Sequence, residues 1–169
     1  MSQELENSLL SWATEALELR HGEAGDPDGK VGLPPYELGT EAYILMLQRV
    51  RQRLDRTEEL QSKARQAKGR VTRLREQSAF EASLAYDTAL QKGKLKFQEY
   101  VSAAEKSADA TLASIDEKRK EHQMKRLESV ATETYDVISQ CYWGLEKLRE
   151  DVKSMLRTFQ FISSEEVQT

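Results

Sequence analysis

The chain has one cysteine, Cys141, among 169 residues. A single thiol excludes an internal disulfide framework and fits a reducing, intracellular setting, so a cytoplasmic location is expected. Histidine is almost as scarce: His21 and His122 stand far apart in polar surroundings. There is no H-x-x-x-H, no C-x-x-C and no carboxylate cluster at ligand spacing, so no metal is expected. Neither phosphate-binding loop, G-x-x-x-x-G-K-[ST] or G-x-G-x-x-G, occurs. The expectation is a protein with no catalytic residues and no cofactor, and not an enzyme.

Proline is confined to one place. All three prolines and four of the eight glycines fall in "GEAGDPDGKVGLPP", and no proline occurs after Pro35. That stretch reads as a linker, and the residues beyond it hold nothing to stop a helix for a long way. No apolar run approaches the roughly 18 residues of a membrane span. The opening "MSQELENSLL" is acidic where a secretory leader would be basic. A soluble protein is expected.

What the chain does have is charge and helix formers. Charged residues make up 32% and hydrophobic ones 38%, with alanine supplying much of the second figure. Few large apolar residues per turn suit narrow seams between long helices better than one large core. The reading is an all-α fold: an elongated helical bundle or coiled coil of long helices preceded by a short N-terminal helix. It divides into an amphipathic helix (1–22), a Gly/Pro linker (23–39), a long-helix domain (40–161) and a polar tail (162–169).

The seams are explicit. Leu5, Leu9, Trp12, Ala16 and Leu19 recur at spacings of four and three, on one side of the first helix. After Thr40 a looser seam runs Tyr43, Met46, Val50, Thr57, Leu60, Ala64, Ala67, Val71 and Leu74, with Arg53 on one seam position and Leu54 beside it. The strongest is Ala131, Thr134, Ile138, Cys141, Leu145, Leu148, Val152, Met155 and Phe159, an unbroken alternation of three and four. Tyr142 and Trp143 widen it, and Cys141 reads as a small packing residue rather than a nucleophile, which would need a basic partner. Gly144, unfavourable in a helix interior, predicts the close approach of another helix. Between these, Phe97, Val101, Ala104, Ala108, Leu112 and Ile115 have a near eleven-residue pattern and predict a further packed helix.

A single helix of about 120 residues would run roughly 180 Å, so the chain is expected to fold back. Breaks are predicted near 77–80 or 92–94, and near 120–126.

Charge alternates along the chain. Residues 1–35 carry seven acids and two bases, whereas residues 36–78 carry six acids and ten bases. Segments of opposite sign favour pairing of helices with one another. The basic run raises a second reading, contact with nucleic-acid phosphates through Arg49, Arg53, Arg56, Lys63 and Arg70, which share an arc of about 100°. Leu60, Ala67 and Leu74 fall in that same arc, and a phosphate-reading face should be free of the packing seam.

The leading expectation is therefore a non-enzymatic structural or adaptor protein acting through coiled-coil assembly, as a homo-oligomer or in a larger complex. Its contact residues are read as Ile138, Cys141, Tyr142, Trp143, Leu145, Leu148, Val152, Met155 and Phe159. The alternative is a nucleic-acid-associated helical protein using residues 49–75.

Overall fold

The computed structural model describes residues 2–22, 32–96 and 102–166. Among them the order is α1 (Ser2–His21), a single 3-10 turn (Tyr36–Leu38), α2 (Gly39–Lys96), α3 (Ala103–Ala113) and α4 (Ile115–Glu166). No strand occurs among the described residues, and the fold is an all-α helical bundle with a short N-terminal helix.

α1 stops where its sequence tells it to. Gly22 adopts φ +82° and its N–H bonds the carbonyl oxygen of Glu18 at 2.7 Å, the left-handed glycine end of a helix. α2 begins at Gly39, whose φ of +71° turns the chain out of the preceding 3-10 turn.

Of the expected breaks, the one near 92–94 lies close to the end of α2 at Lys96, and those at 77–80 and 120–126 do not occur. α2 runs unbroken for 58 residues, straight through 77–80 and 92–94. Ser78 does not end it, because its hydroxyl donates to the carbonyl of Arg75 at 3.0 Å inside the helix. A lone glycine such as Gly93 costs only about 1 kcal/mol in a helix interior. α4 likewise passes through 120–126 and continues to Glu166, into the segment expected to be a polar tail. The helix starts and stops lie instead at Ser102 and Ser114. Ser102 and Glu105 form a complete capping box: the Glu105 N–H bonds Ser102 Oγ, and the Ser102 N–H bonds the Glu105 carboxylate. Ser114, fully buried, separates α3 from α4. Its N–H and its hydroxyl both donate to the carbonyl of Ala110, at 3.2 and 3.0 Å. The Lys118 N–H bonds the Ser114 carbonyl at 3.1 Å and opens the ladder of α4, while Ser114 itself, at φ −103° and ψ 12°, leaves the helical region.

The helices contribute to two units. The first consists of Gln3–Arg65 with Glu133–Thr169, the second of Gln66–Thr132. In the first, α1 lies against α2 and α4. Ala16, Leu60, Ala64, Ile138 and Cys141 form one buried cluster, flanked by Trp12, Leu19, Tyr135 and Val137. Val50, Leu54 and Leu145 form another, flanked by Met46, Tyr142 and Leu148. Leu19 pairs with Arg53 and Glu15 with Arg56, so α1 runs antiparallel to α2. Phe159 stacks on Tyr36, with ring centroids 4.8 Å apart, and meets Tyr43 edge-on at 5.3 Å. The Tyr43 hydroxyl bonds the carbonyl of Pro34 at 2.8 Å, tying down the end of the linker. Within this unit the α1 seam and the adjoining parts of the α2 and α4 seams are thus satisfied by one another.

The second unit packs small residues. Ala67, Val71, Ser78, Ala82, Ala110, Ser114, Leu127 and Ala131 are buried. Thr72 donates to Glu128 at 2.9 Å, and Tyr86 and Ser107 share a hydrogen bond of 3.2 Å. Small side chains allow close helix approach, and polar groups at the rim fix the register.

The middle seam is overturned. Ala104, Ala108, Leu112 and Ile115 are exposed, and Ala110 and Ser114 are buried in their place. The capping box fixes where α3 starts, and the inward face of α3 carries Ser107, Ala110 and Ser114. Phe97 and Val101 lie outside the described residues.

Candidate functional site

The residues read as a contact surface on α4 divide sharply. Ile138, Cys141, Leu145 and Val152 are buried in the chain's own core, and Tyr142, Leu148, Met155 and Phe159 are half-buried at its edge. Only Trp143 faces outward, at 68% exposure, with Tyr142 edge-on to it at 5.5 Å. A helical turn explains the split. Cys141 and Leu145 point into the bundle, and Trp143, about 200° round from Cys141, points away.

Gly144 has the close neighbour its position predicts. A β-carbon there would stand 2.8 Å from Nε of Arg20, so the α1 guanidinium lies across the glycine. The same guanidinium touches Cys141. Burial pushes the Cys141 thiol up, and the charge and hydrogen bond of Arg20 pull it partly back. A thiol raised by burial is a poor nucleophile, in keeping with a packing role.

The basic residues also divide. Arg53 donates to the Leu19 carbonyl at 2.8 Å and closes the C-terminal end of α1. Arg56 bonds Glu15 at 2.6 Å and Glu59 at 2.5 Å, and those carboxylates hold its guanidinium well above its usual value. Lys63 pairs with Glu59 at 2.6 Å, which with Arg56 lowers the Glu59 carboxyl. Arg49 and Arg70 are exposed. Three of the five groups are therefore committed to acceptors of the chain itself, chiefly in docking the acidic α1. The charge alternation in the sequence is used in this pairing.

In the second unit an open groove of about 370 Å³ is lined by Ala79, Ala82, Ser83, Tyr86, Thr111, Lys118 and Glu121. Lys118 Nζ sits 5.0 Å from the Tyr86 ring centroid, and Glu121 pairs with Lys125 at 2.7 Å. The Glu121 carboxylate is thus paired, and the Lys118 ammonium rests on the Tyr86 ring. Among the described residues no group of three or more His, Cys, Asp or Glu could hold a metal ion, and no helix is long and apolar enough to cross a membrane.

What sequence reasoning missed is on the outside. Phe80 and Leu84 (67% and 55% exposed) sit one turn apart on α2, and Leu112 and Ile115 (65% and 40%) three residues apart across the α3–α4 junction. The S-x-x-E of Ser102 and Glu105 was the available signal for the start of α3.

In comparison with known proteins, no family model matches the chain, and no curated protein and no solved structure matches it either.

Proposed function

We propose that the chain is a non-enzymatic structural or adaptor protein that works by helix-to-helix, coiled-coil-type contact with other protein chains, in an intracellular setting. The observation that carries this reading is the placement of Phe80, Leu84, Leu112 and Ile115 on outward helix faces while the chain's own seams are closed internally. Single exposed apolar residues are ordinary. Pairs of large ones at helical spacing on a common face are the pattern by which helices recognise other helices. The nucleic-acid reading weighs less, because Arg53, Arg56 and Lys63 already serve internal acceptors.

The test is capture from the native host by the full chain and by a variant with Phe80, Leu84, Leu112 and Ile115 all changed to Ser. With helicity equal by circular dichroism, the expected result is proteins, or further copies of the chain, held by the first and lost by the second. An identical set on both would overturn the proposal.

A further inference from the structure

We infer that the outward face of α3 and the first turn of α4 is a self-association surface, pairing antiparallel with the same face of a second copy of the chain. This rests on the protein-contact reading above and names its partner.

At about 100° per residue, Ala104, Ala108, Leu112, Ile115 and Arg119 fall within an arc of about 80°. All five are exposed. The buried Ala110 and Ser114 lie outside that arc, on the inner side. Ser114, at φ −103° and ψ 12°, ends α3, and the bonds from its N–H to Ala110 and from Lys118 to its carbonyl join the two helices without an intervening loop, so the exposed residues follow one another along α3 and the first turn of α4. From 104 to 119 this ridge extends about 22 Å. Ala104, Ala108, Leu112 and Ile115 are also the described part of the eleven-residue pattern of the sequence, and the core leaves them uncovered.

Charge selects the occupant and its direction. Glu105 stands at one end of the ridge and Arg119 at the other, with Leu112 midway. In an antiparallel pair with a two-fold axis at Leu112, the two Leu112 side chains meet. Ala108 then faces Ile115 of the second copy, and Glu105 reaches Arg119 of the second copy at both ends. A parallel pair would set Glu105 against Glu105 and Arg119 against Arg119, like charges in contact. Both end groups can take part. The Ser102 N–H and hydroxyl keep the Glu105 carboxyl below its usual range, and it remains exposed. Among the described residues Arg119 pairs with Asp116 through a largely solvated contact of 3.4 Å, too weak to compete. A ridge this short buries less than the roughly 1,000 Å² of a stable interface, so the pair is in the micromolar range or weaker.

The experiment uses the full chain. In a Cys141→Ala background, Leu112→Cys is compared with Ala113→Cys, which is also exposed but off the ridge. Under mild oxidation Leu112→Cys should form a disulfide-linked dimer at least about tenfold faster, because the pair holds the two thiols together. By sedimentation equilibrium, Leu112→Lys should shift dimerisation at least about tenfold toward higher concentration without loss of helicity. Arg119→Glu should weaken the pair, and adding Glu105→Arg should restore it. Equal cross-linking at 112 and 113, or association unaffected by Leu112→Lys, would overturn this surface while leaving contact through another face intact. A wild-type chain that is monomeric at every concentration would overturn self-association and leave partners of other kinds.

Discussion

The guanidinium of Arg20 on α1 lies across Gly144 on α4, so near that a β-carbon at 144 would come within 2.8 Å of Nε and 3.1 Å of Cζ. The glycine is therefore a seat for a side chain from the neighbouring helix, and it brings that side chain against the buried Cys141 thiol. Gly144→Ala would add helix propensity of about 1 kcal/mol but displace Arg20. The expected outcome is little net gain in urea unfolding and faster labelling of Cys141 by a thiol reagent, as α1 loosens. Labelling unchanged from wild type would show that Arg20 does not guard the thiol.

Gly69 is the matched contrast. It lies inside α2 with nothing within 4 Å of where a β-carbon would go. Gly69→Ala should therefore raise stability by about 1 kcal/mol, the full propensity difference, with no change in Cys141 labelling. Chemical denaturation measures it, and a destabilised variant would contradict the open setting.

The α4 seam and the outward Trp143 should separate in a mutation series. Ile138→Ala and Leu145→Ala empty fully buried positions and should each cost about 2–5 kcal/mol. Trp143→Ala, a larger truncation of a residue 68% exposed, should change stability by no more than about 0.5 kcal/mol. Denaturant midpoints across the three variants decide it. Comparable losses at all three positions would place Trp143 in the core.

Acid should weaken the fold from one direction only. Glu59, held by Lys63 and then Arg56, Glu121, held by Lys125, and Glu150, held by Lys153, all have carboxyls below their ordinary value of 4.5 in the folded chain. A depressed folded value means that the unfolded chain binds more protons in this range. The stabilisation is then complete above about pH 5 and is lost as pH falls through 4.5 and below. All three carboxylates are solvated, so the effect is modest and reduced by salt. Thermal melts should show a midpoint that is flat from pH 7 to about 5 and then falls, less steeply in Glu59→Gln. A midpoint already falling between pH 7 and 6 would point to another group.

The helices were legible where periodicity was strict. Leu9 and Ala16, most of the seam from Tyr43 to Val71, and most of that from Ala131 to Val152 could be placed inside from spacing alone, with Met46 and Leu148 half-buried, because burial tracks the 3.6-residue turn. Their partners were not legible. Nothing in a heptad says whether a neighbouring helix of the same chain or of another fills it, and here α1 and α2 fill the α4 seam. The turns were misplaced because Ser78, Gly93 and His122 weaken a helix without stopping it. α3 starts at the capping box of Ser102 and Glu105 and ends at Ser114, whose φ of −103° and ψ of 12° leave the helical region. The middle seam had the right spacing and the wrong side. Ala110 and Ser114 turn inward and Leu112 turns out. That inversion created the candidate contact surface, which periodicity alone would have assigned to the core.

The central claim is that the α4 seam serves the chain's own fold while the outward apolar side chains serve other chains. Light scattering over a concentration series, with a melt of each sample, tests it on two variants side by side. Leu145→Ala should lower the melting midpoint and leave association of the folded chain unchanged. Leu112→Lys should leave the midpoint unchanged and shift the rise in mass at least about tenfold toward higher concentration. The reverse pattern, with association lost on Leu145→Ala and untouched by Leu112→Lys, would contradict the account.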